Sequence, residues 1–163
     1  MTYRTKTYIA GDWTGDSDAI NQLYNWKNSK HLSLDFHDAH EIIQSRDSSL
    51  NCSIKDSLGK RLDISSTFVL IVGLNTKTVR AGECSYCTEY YKCDKTSNKS
   101  FIEYECDKAV KDELKIIVLY NSTAVDKTKC PDALKNIGSH NAMQYYYNGQ
   151  YYWDYKTVKS AIE

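Results

Sequence analysis

Several features that mark other classes of protein are scarce or missing in this 163-residue sequence. It contains one proline, and Lys plus Arg equal Asp plus Glu at 21 each, so the net charge is zero. The sequence therefore lacks the excess of Lys and Arg that is typical of proteins that bind nucleic acid or anionic membranes. The apolar runs are short, and residues 68–72 fall far below the length that spans a bilayer. We therefore expect no nucleic-acid partner and no membrane partner.

Common nucleotide-binding signatures and a secretory leader are missing as well. The turn after the first predicted strand lacks G-x-G-x-x-G, and no G-x-x-x-x-G-K-[ST] occurs. No Ser/Thr-rich phosphate loop follows that strand, which argues against flavin binding. The first residues lack the apolar core of a signal peptide, so we expect a cytoplasmic protein with reduced thiols. The six cysteines are then core residues, metal ligands or reactive thiols.

Strands and helices are predicted to alternate along the chain. The predicted strands are residues 7–10, 32–36, 67–73, 114–120 and 142–147. The third is apolar throughout, as is typical of a strand buried in the centre of a parallel sheet. Alternation of this kind predicts an α/β fold. We expect one domain over residues 1–163, a flavodoxin-like doubly wound five-stranded parallel sheet with helices on both faces.

One predicted helix, which follows the central strand, carries the main candidate residue. Ser100 and Glu103 form a capping box at its start. Glu105 lies beside its apolar stripe, close to the positive end of the helix and to the buried layer. A solvated surface glutamate is the commoner outcome for such a position. The apolar stripe itself comprises Ile102, Cys106, Ala109 and Val110.

The order of elements, with several local motifs, resembles the TIR-like family in the branch found in bacterial Thoeris antiphage systems. The resemblance covers residues 6–162. Its motifs are Ser-Phe-Ile-Glu-Tyr-Glu-Cys at 100–106, Leu-Lys-Ile-Ile-Val-Leu-Tyr at 114–120, Asp-Ala-His at 38–40 and Arg-Asp-Ser at 46–48.

This resemblance implies an enzyme that cleaves the nicotinamide–ribose bond of NAD, an NAD glycohydrolase or ADP-ribosyl cyclase. It implies that Glu105 is the essential glutamate and that a cyclic or conjugated ADP-ribose messenger activates a partner effector. The loops that flank such a pocket contain Gly11, Asp12 and Trp13 after the first strand, and Asp38 and Arg46 after the second. A phage-derived trigger and a homo-oligomer are also implied.

The chemistry of the candidate residues agrees with this reaction. Loss of nicotinamide leaves positive charge on the ribose, which the carboxylate of Glu105 would stabilise. Nicotinamide leaves as a neutral base, so one carboxylate suffices. Trp13 either stacks on a ring of the substrate or packs against the protein. Arg46 either binds the diphosphate or pairs with a neighbouring carboxylate.

A segment at about residues 76–99 departs from the simplest TIR pattern. Cys84, Cys87 and Cys93 include a Cys-x-x-Cys spacing, which indicates a possible structural zinc site. They supply three of the four ligands that such a site needs. Cys106 is the nearest fourth candidate, but its place on the apolar stripe is typical of a core residue. The segment could instead act as a lid or a docking surface.

The C-terminal part is rich in tyrosine, with six of the chain's 14 tyrosines in residues 145–155. Tyrosine buries a large ring while its hydroxyl stays in water, so these residues suit an edge hairpin packed on the last helix. They also suit an interaction surface, since Tyr and Trp dominate binding hot spots. The second function consistent with the sequence is therefore a non-catalytic TIR-like scaffold that acts by self-assembly or partner binding.

Overall fold

The computed structural model describes residues 4–39, 51–80 and 99–163. The helices are α1 (Ser17–Asn28), α2 (Asn51–Asp63), α3 (Phe101–Lys111) and α4 (Tyr155–Ile162). A short 3₁₀ helix spans Lys127–Lys129. The strands are β1 (Lys6–Ala10), β2 (Ser65–Val72), β3 (Lys115–Tyr120), β4 (Ser139–Ala142), β5 (Gln144–Tyr147) and β6 (Gln150–Trp153).

The fold is α/β, with a parallel sheet in the order β1-β2-β3-β4. Over the described residues this sheet has four strands rather than the predicted five. Residues 32–36 form no strand, and one parallel bridge joins Asp38 to Thr7 on the other side of β1. The segment alternates apolar and polar residues, and two of its three apolar side chains, Leu34 and Phe36, are buried, whereas Leu32 is 43% exposed. The side chains of Leu34 and Phe36 therefore anchor this segment in the core, although its backbone does not pair as a strand.

The predicted strand at residues 142–147 is also corrected, because it divides between two sheets. β4 ends at Ala142, and β5 then pairs with β6 in an antiparallel hairpin. Asn148 and Gly149 connect these strands with φ of 50° and 84°. Both angles are those of a type I′ turn, which the Asn-Gly pair predicts.

Helices cover both faces of the parallel sheet. α2 and α3 pack on the face that carries Tyr8 and Phe68. α1 and α4 pack on the face that carries Ile9 and Val69. Residues 68–71 of β2 are wholly buried, which explains why this part of the strand is apolar. Each such aliphatic side chain contributes roughly 1.5–3 kcal/mol by burial.

The carboxyl ends of the parallel strands meet at one edge of the sheet. Gly11 follows β1, Gly73 follows β2 and Asn121 follows β3. Open α/β folds bind their ligands at this edge, so residues that bind a ligand are expected to lie near it. Within the three described ranges, no helix has both the length and the apolar character needed to cross a membrane.

Candidate active site

The start of α3 agrees with the sequence prediction. The hydroxyl of Ser100 accepts a hydrogen bond from the backbone N–H of Glu103 at 3.1 Å, so Ser100 caps the helix. The Glu103 side chain is 40% exposed and lies 3.8 Å from Arg80. Glu103 is therefore a surface residue near the helix's positive end, and it provides a natural comparison for Glu105 two positions later.

Glu105 is a buried carboxyl, not a solvated one. The residue is 6% exposed and lies on the side of α3 that faces the sheet. The hydroxyl of Tyr8 donates a hydrogen bond to Oε2 of Glu105. Tyr8 is fully buried and stands two residues before the end of β1. A contact between the second turn of α3 and the middle of β1 therefore holds the candidate carboxyl.

Burial dominates the electrostatics of this pair. It raises the pKa of Glu105 to about 8, while the hydrogen bond from Tyr8 acts in the opposite direction. At pH 7 about one molecule in ten then carries the carboxylate. Burial and the neighbouring Glu105 raise the pKa of Tyr8, whereas the charge of Arg61 lowers it. Nη1 of Arg61 is buried and has no hydrogen-bond partner among the described residues.

The loop after β1 holds three of the predicted binding residues. Oδ1 of Asp12 accepts a hydrogen bond from the backbone N–H of Thr14 at 3.1 Å, so this carboxylate is turned back into its own loop. Trp13 is 48% exposed, and its ring centre lies 6.3 Å from that of Tyr24. Gly11 is buried against Ile71 at the edge of the sheet. The half-exposed ring of Trp13 is thus the part of this loop that is most accessible to a ligand.

Asp38 lies close to the same aromatic group. The hydroxyl of Tyr24 donates to Asp38, and burial together with this carboxylate raises the pKa of Tyr24. Tyr24 therefore connects Trp13 with Asp38, on the face of the sheet that α1 covers. Glu105 lies on the opposite face, with Tyr8. The structure brings Trp13 and Asp38 together, and the sheet separates both from Glu105.

One buried residue at the carboxyl edge carries no predicted site role. Asp16 is 4% exposed and accepts a hydrogen bond from the side-chain amide of Asn121 at 2.9 Å. Burial raises the pKa of this carboxyl. A Cβ at Gly73 would come 2.0 Å from Oδ1 of Asp16, so any side chain at position 73 would displace this carboxyl group. In the sequence, Asp16, Ser17 and Asp18 are equal candidates to cap α1, and no local pattern indicates the contact with Asn121, which lies 105 positions away.

The remaining predicted site residues fall elsewhere. Arg46, Cys84, Cys87 and Cys93 lie outside the described residues, so the diphosphate and zinc hypotheses stay predictions. Cys106 is fully buried, and burial raises the pKa of its thiol, as expected of a core residue. In the ranges 4–39, 51–80 and 99–163, no group of three or more metal-binding side chains is close enough to hold an ion.

A shallow pocket of about 410 Å³ opens at the far end of the sheet from β1, between β4 and α4. Its lining is polar and small, and it contains none of the predicted site residues: Ser139, Asn141, Lys156, Thr157, Ser160 and Ala161. The carboxyl edge near β1 and β2 is therefore the better candidate site.

Comparison with known proteins agrees with the α/β architecture. Residues 8–81 match the family model described as Thoeris protein ThsB, TIR-like domain. The matched range contains β1, α1, α2 and β2 and ends before α3, so Glu105 lies outside it. No curated protein matches the chain. Over residues 8–81, somewhat less than half of its length, this chain is similar to the TIR-like domain of the Thoeris protein ThsB.

Proposed function

We propose that this protein is an NAD-consuming enzyme of antiphage defence signalling, in which Glu105 promotes cleavage of the nicotinamide–ribose bond. The observation that carries the proposal is the buried carboxyl of Glu105, placed on the helix after β2 and held by Tyr8. A glutamate is almost never this deeply buried without a specific role or partner. Strongly perturbed carboxyl groups are concentrated at functional sites, although structural networks also produce them.

In this reaction the side chain of Glu105 must be negatively charged when positive charge develops on the substrate. Departure of nicotinamide turns the ribose into an oxocarbenium-like species, which an adjacent carboxylate stabilises. Glu105 is mostly protonated at neutral pH, so it must first release its proton to solvent. The cationic nicotinamide ring favours that ionisation, because a nearby positive charge lowers a carboxyl pKa.

The loops at the carboxyl edge would bind the rest of the molecule. Trp13 presents an exposed ring on which a base could stack, and Asp38 is positioned beside it through Tyr24. Because these residues lie on the face of the sheet opposite Glu105, the substrate would have to extend around the end of β1 to reach all three. Gly11 packs closely against Ile71 where the loop begins, and Asp12 shapes the loop through its own hydrogen bond. Arg46 is proposed for the diphosphate. NAD serves as substrate here, and zinc at Cys84, Cys87 and Cys93 would be structural.

The product would be a cyclic or conjugated ADP-ribose derivative that activates a partner effector after a phage-derived trigger. Such a signal requires that water be kept from the ribosyl cation until the correct acceptor attacks it. The low exposure of Glu105 supports this requirement, since the carboxyl sits in a layer from which bulk water is excluded.

A second function, a non-catalytic scaffold, is favoured by the hairpin formed by β5 and β6. Its tyrosines 145, 146, 147, 151 and 152 are 39–69% exposed, and residues 144–153 contain no charged side chain. Exposed aromatic surface of this kind is typical of protein interfaces. In this alternative Glu105 is a structural residue of the α3–β1 contact and the hairpin mediates assembly.

Phage protection in cells that carry the complete defence system separates the two functions. The enzyme predicts that Glu105→Gln abolishes protection, whereas Glu103→Gln, an identical change at an exposed position of the same helix, retains it. If the protein is a scaffold, the Glu105→Gln variant should still protect against phage, and the Tyr147→Ser/Tyr151→Ser variant should not. Equal amounts of folded protein in each strain, measured by immunoblot and circular dichroism, make the comparison valid.

A further inference from the structure

The contact between Tyr8 and Glu105 joins residues that lie 97 positions apart, and both are buried. The ring of Tyr8 stacks on Phe68 of β2, with ring centres 5.7 Å apart and planes 20° apart. Packing therefore fixes the direction in which the hydroxyl of Tyr8 points. A hydroxyl aimed by a rigid strand restricts the side chain that accepts its hydrogen bond.

The other polar groups around the pair come from α2 and α3. The charge of Arg61, near the end of α2, acts on Tyr8. Tyr104 and Cys106 flank Glu105 on α3, and burial raises the pKa of the Cys106 thiol well above its usual value. Glu105 is the acid of this group, and α2 contributes two cations to the region, Arg61 and the buried Lys55. The positive charge of Arg61 makes the Tyr8 hydroxyl a stronger donor.

We propose that Tyr8 is a positioning residue for Glu105, whose hydroxyl holds the carboxyl in one orientation and favours its ionised form. The assignment deepens the proposed function and rests on it, because Glu105 is the group to which the reaction is assigned. Tyr8 itself lies behind the carboxyl, in the middle of β1, and makes no direct contribution to bond cleavage.

The direction of the effect follows from the chemistry of the hydrogen bond. A donor to a carboxylate stabilises the charged form relative to the neutral acid. Without the hydroxyl, the carboxyl would keep its proton to a higher pH, because the burial that disfavours its charge remains. One hydrogen bond to a charged group shifts such an equilibrium by roughly one pKa unit or more.

The test compares wild type with Tyr8→Phe and uses Tyr120→Phe as a matched control. Tyr120 is another buried tyrosine on the same face of the sheet, and its hydroxyl contacts His140 at 2.8 Å instead of Glu105. Glutamate labelled with ¹³C at the side-chain carboxyl is titrated by NMR in the free protein. We expect the Glu105 titration to move upward by roughly one unit in Tyr8→Phe and to stay in place in Tyr120→Phe. An unchanged titration in Tyr8→Phe would overturn the assignment.

The activity measurement is kept separate from this titration. If NAD is cleaved, the pH at which the rate is half-maximal should move upward in Tyr8→Phe by the same amount as the NMR titration. A purely structural role for Tyr8 would lower the rate at every pH without moving that midpoint, which would contradict the proposal. If the NMR titration of Glu105 shifts as expected but the protein does not cleave NAD, the positioning role of Tyr8 is supported and the proposed function is overturned.

A reciprocal variant covers the case in which Tyr8→Phe does not fold. Glu105→Gln removes the charge that raises the pKa of Tyr8. With ¹³C at Cζ of tyrosine, the Tyr8 signal in wild type should move as its partner Glu105 ionises around pH 8, and it should show no such movement in Glu105→Gln. An identical Tyr8 signal in both proteins would show that the hydrogen bond is absent in solution and would overturn the assignment.

Discussion

Replacement of Glu105 by glutamine should stabilise this protein, and the gain should grow with pH. In the unfolded chain a glutamate titrates near 4.5, whereas burial raises the pKa of Glu105 to about 8 in the native protein. Between these values the unfolded chain releases a proton that the native state retains. The protonated carboxyl therefore makes its full contribution to the free energy of unfolding below pH 4.5, and this contribution declines as the pH rises toward 8.

The size of the effect follows from the same two values. Each unit of difference in pKa corresponds to about 1.4 kcal/mol, so wild type should lose about 3 kcal/mol between acid pH and pH 7, and about 5 kcal/mol by pH 9. Glutamine cannot titrate, so the free energy of unfolding of Glu105→Gln lacks this decline. At pH 7 the melting temperature of the variant should exceed that of wild type by roughly 6–12 °C in a domain of this size.

Urea unfolding followed by tryptophan fluorescence at pH 4.5–9 measures the difference. The glutamine amide adds two donors that need acceptors, which changes stability by an amount independent of pH. The slope of the difference against pH is therefore the decisive quantity. Glu103→Gln, at a position that is 40% exposed, should give a difference that stays nearly flat. A Glu105→Gln variant that becomes less stable than wild type as pH rises would refute the reasoning, since the native carboxyl would then be ionised and paired with a cation.

Three further predictions follow from the site and its surroundings. The value of kcat/KM for NAD cleavage should rise about tenfold from pH 7 to pH 9, because ionised Glu105 increases over that range; a rate that falls over this range would contradict the role of the carboxylate. Trp13→Ala should raise KM for NAD several-fold with little change in kcat or melting temperature, since the ring is 48% exposed; Trp13→Phe should keep most of the affinity, and an unchanged KM in Trp13→Ala would show that the ring serves packing. Tyr147→Ser/Tyr151→Ser should reduce the oligomer size measured by light scattering, because both rings are more than 60% exposed; an identical mass for wild type and variant would remove the interface interpretation of the hairpin.

Local sequence patterns predicted most of the elements, because those patterns report burial directly. The apolar run of β2 and the cap at Ser100 are both found in the structure. The segment at residues 32–36 shows the limit of this inference. Its alternation predicted the burial of Leu34 and Phe36, but alternation cannot tell whether the backbone joins a neighbouring strand. That outcome depends on how the chain approaches β1, which no local pattern encodes.

The candidate site was predicted less completely, because its contacts join distant parts of the chain. Glu105 was identified from its helix and from the family resemblance, but its partner Tyr8 lies in β1 and reads locally as one more strand residue. Asp16 likewise reads as a helix cap, whereas its carboxyl accepts from Asn121 and packs on Gly73. β1 reads Lys-Thr-Tyr-Ile-Ala, and a tyrosine in such a strand gives no local sign of a partner 97 positions away.

The most direct test of the central claim is NAD turnover followed by mass spectrometry in lysates of phage-infected cells that express wild type, Glu105→Gln or Glu103→Gln. Infected cells are used because defence enzymes can remain silent until triggered. The account predicts nicotinamide and a new ADP-ribose species with wild type and Glu103→Gln, and neither product with Glu105→Gln. Equal product from wild type and Glu105→Gln, or loss of product in Glu103→Gln alone, would contradict it.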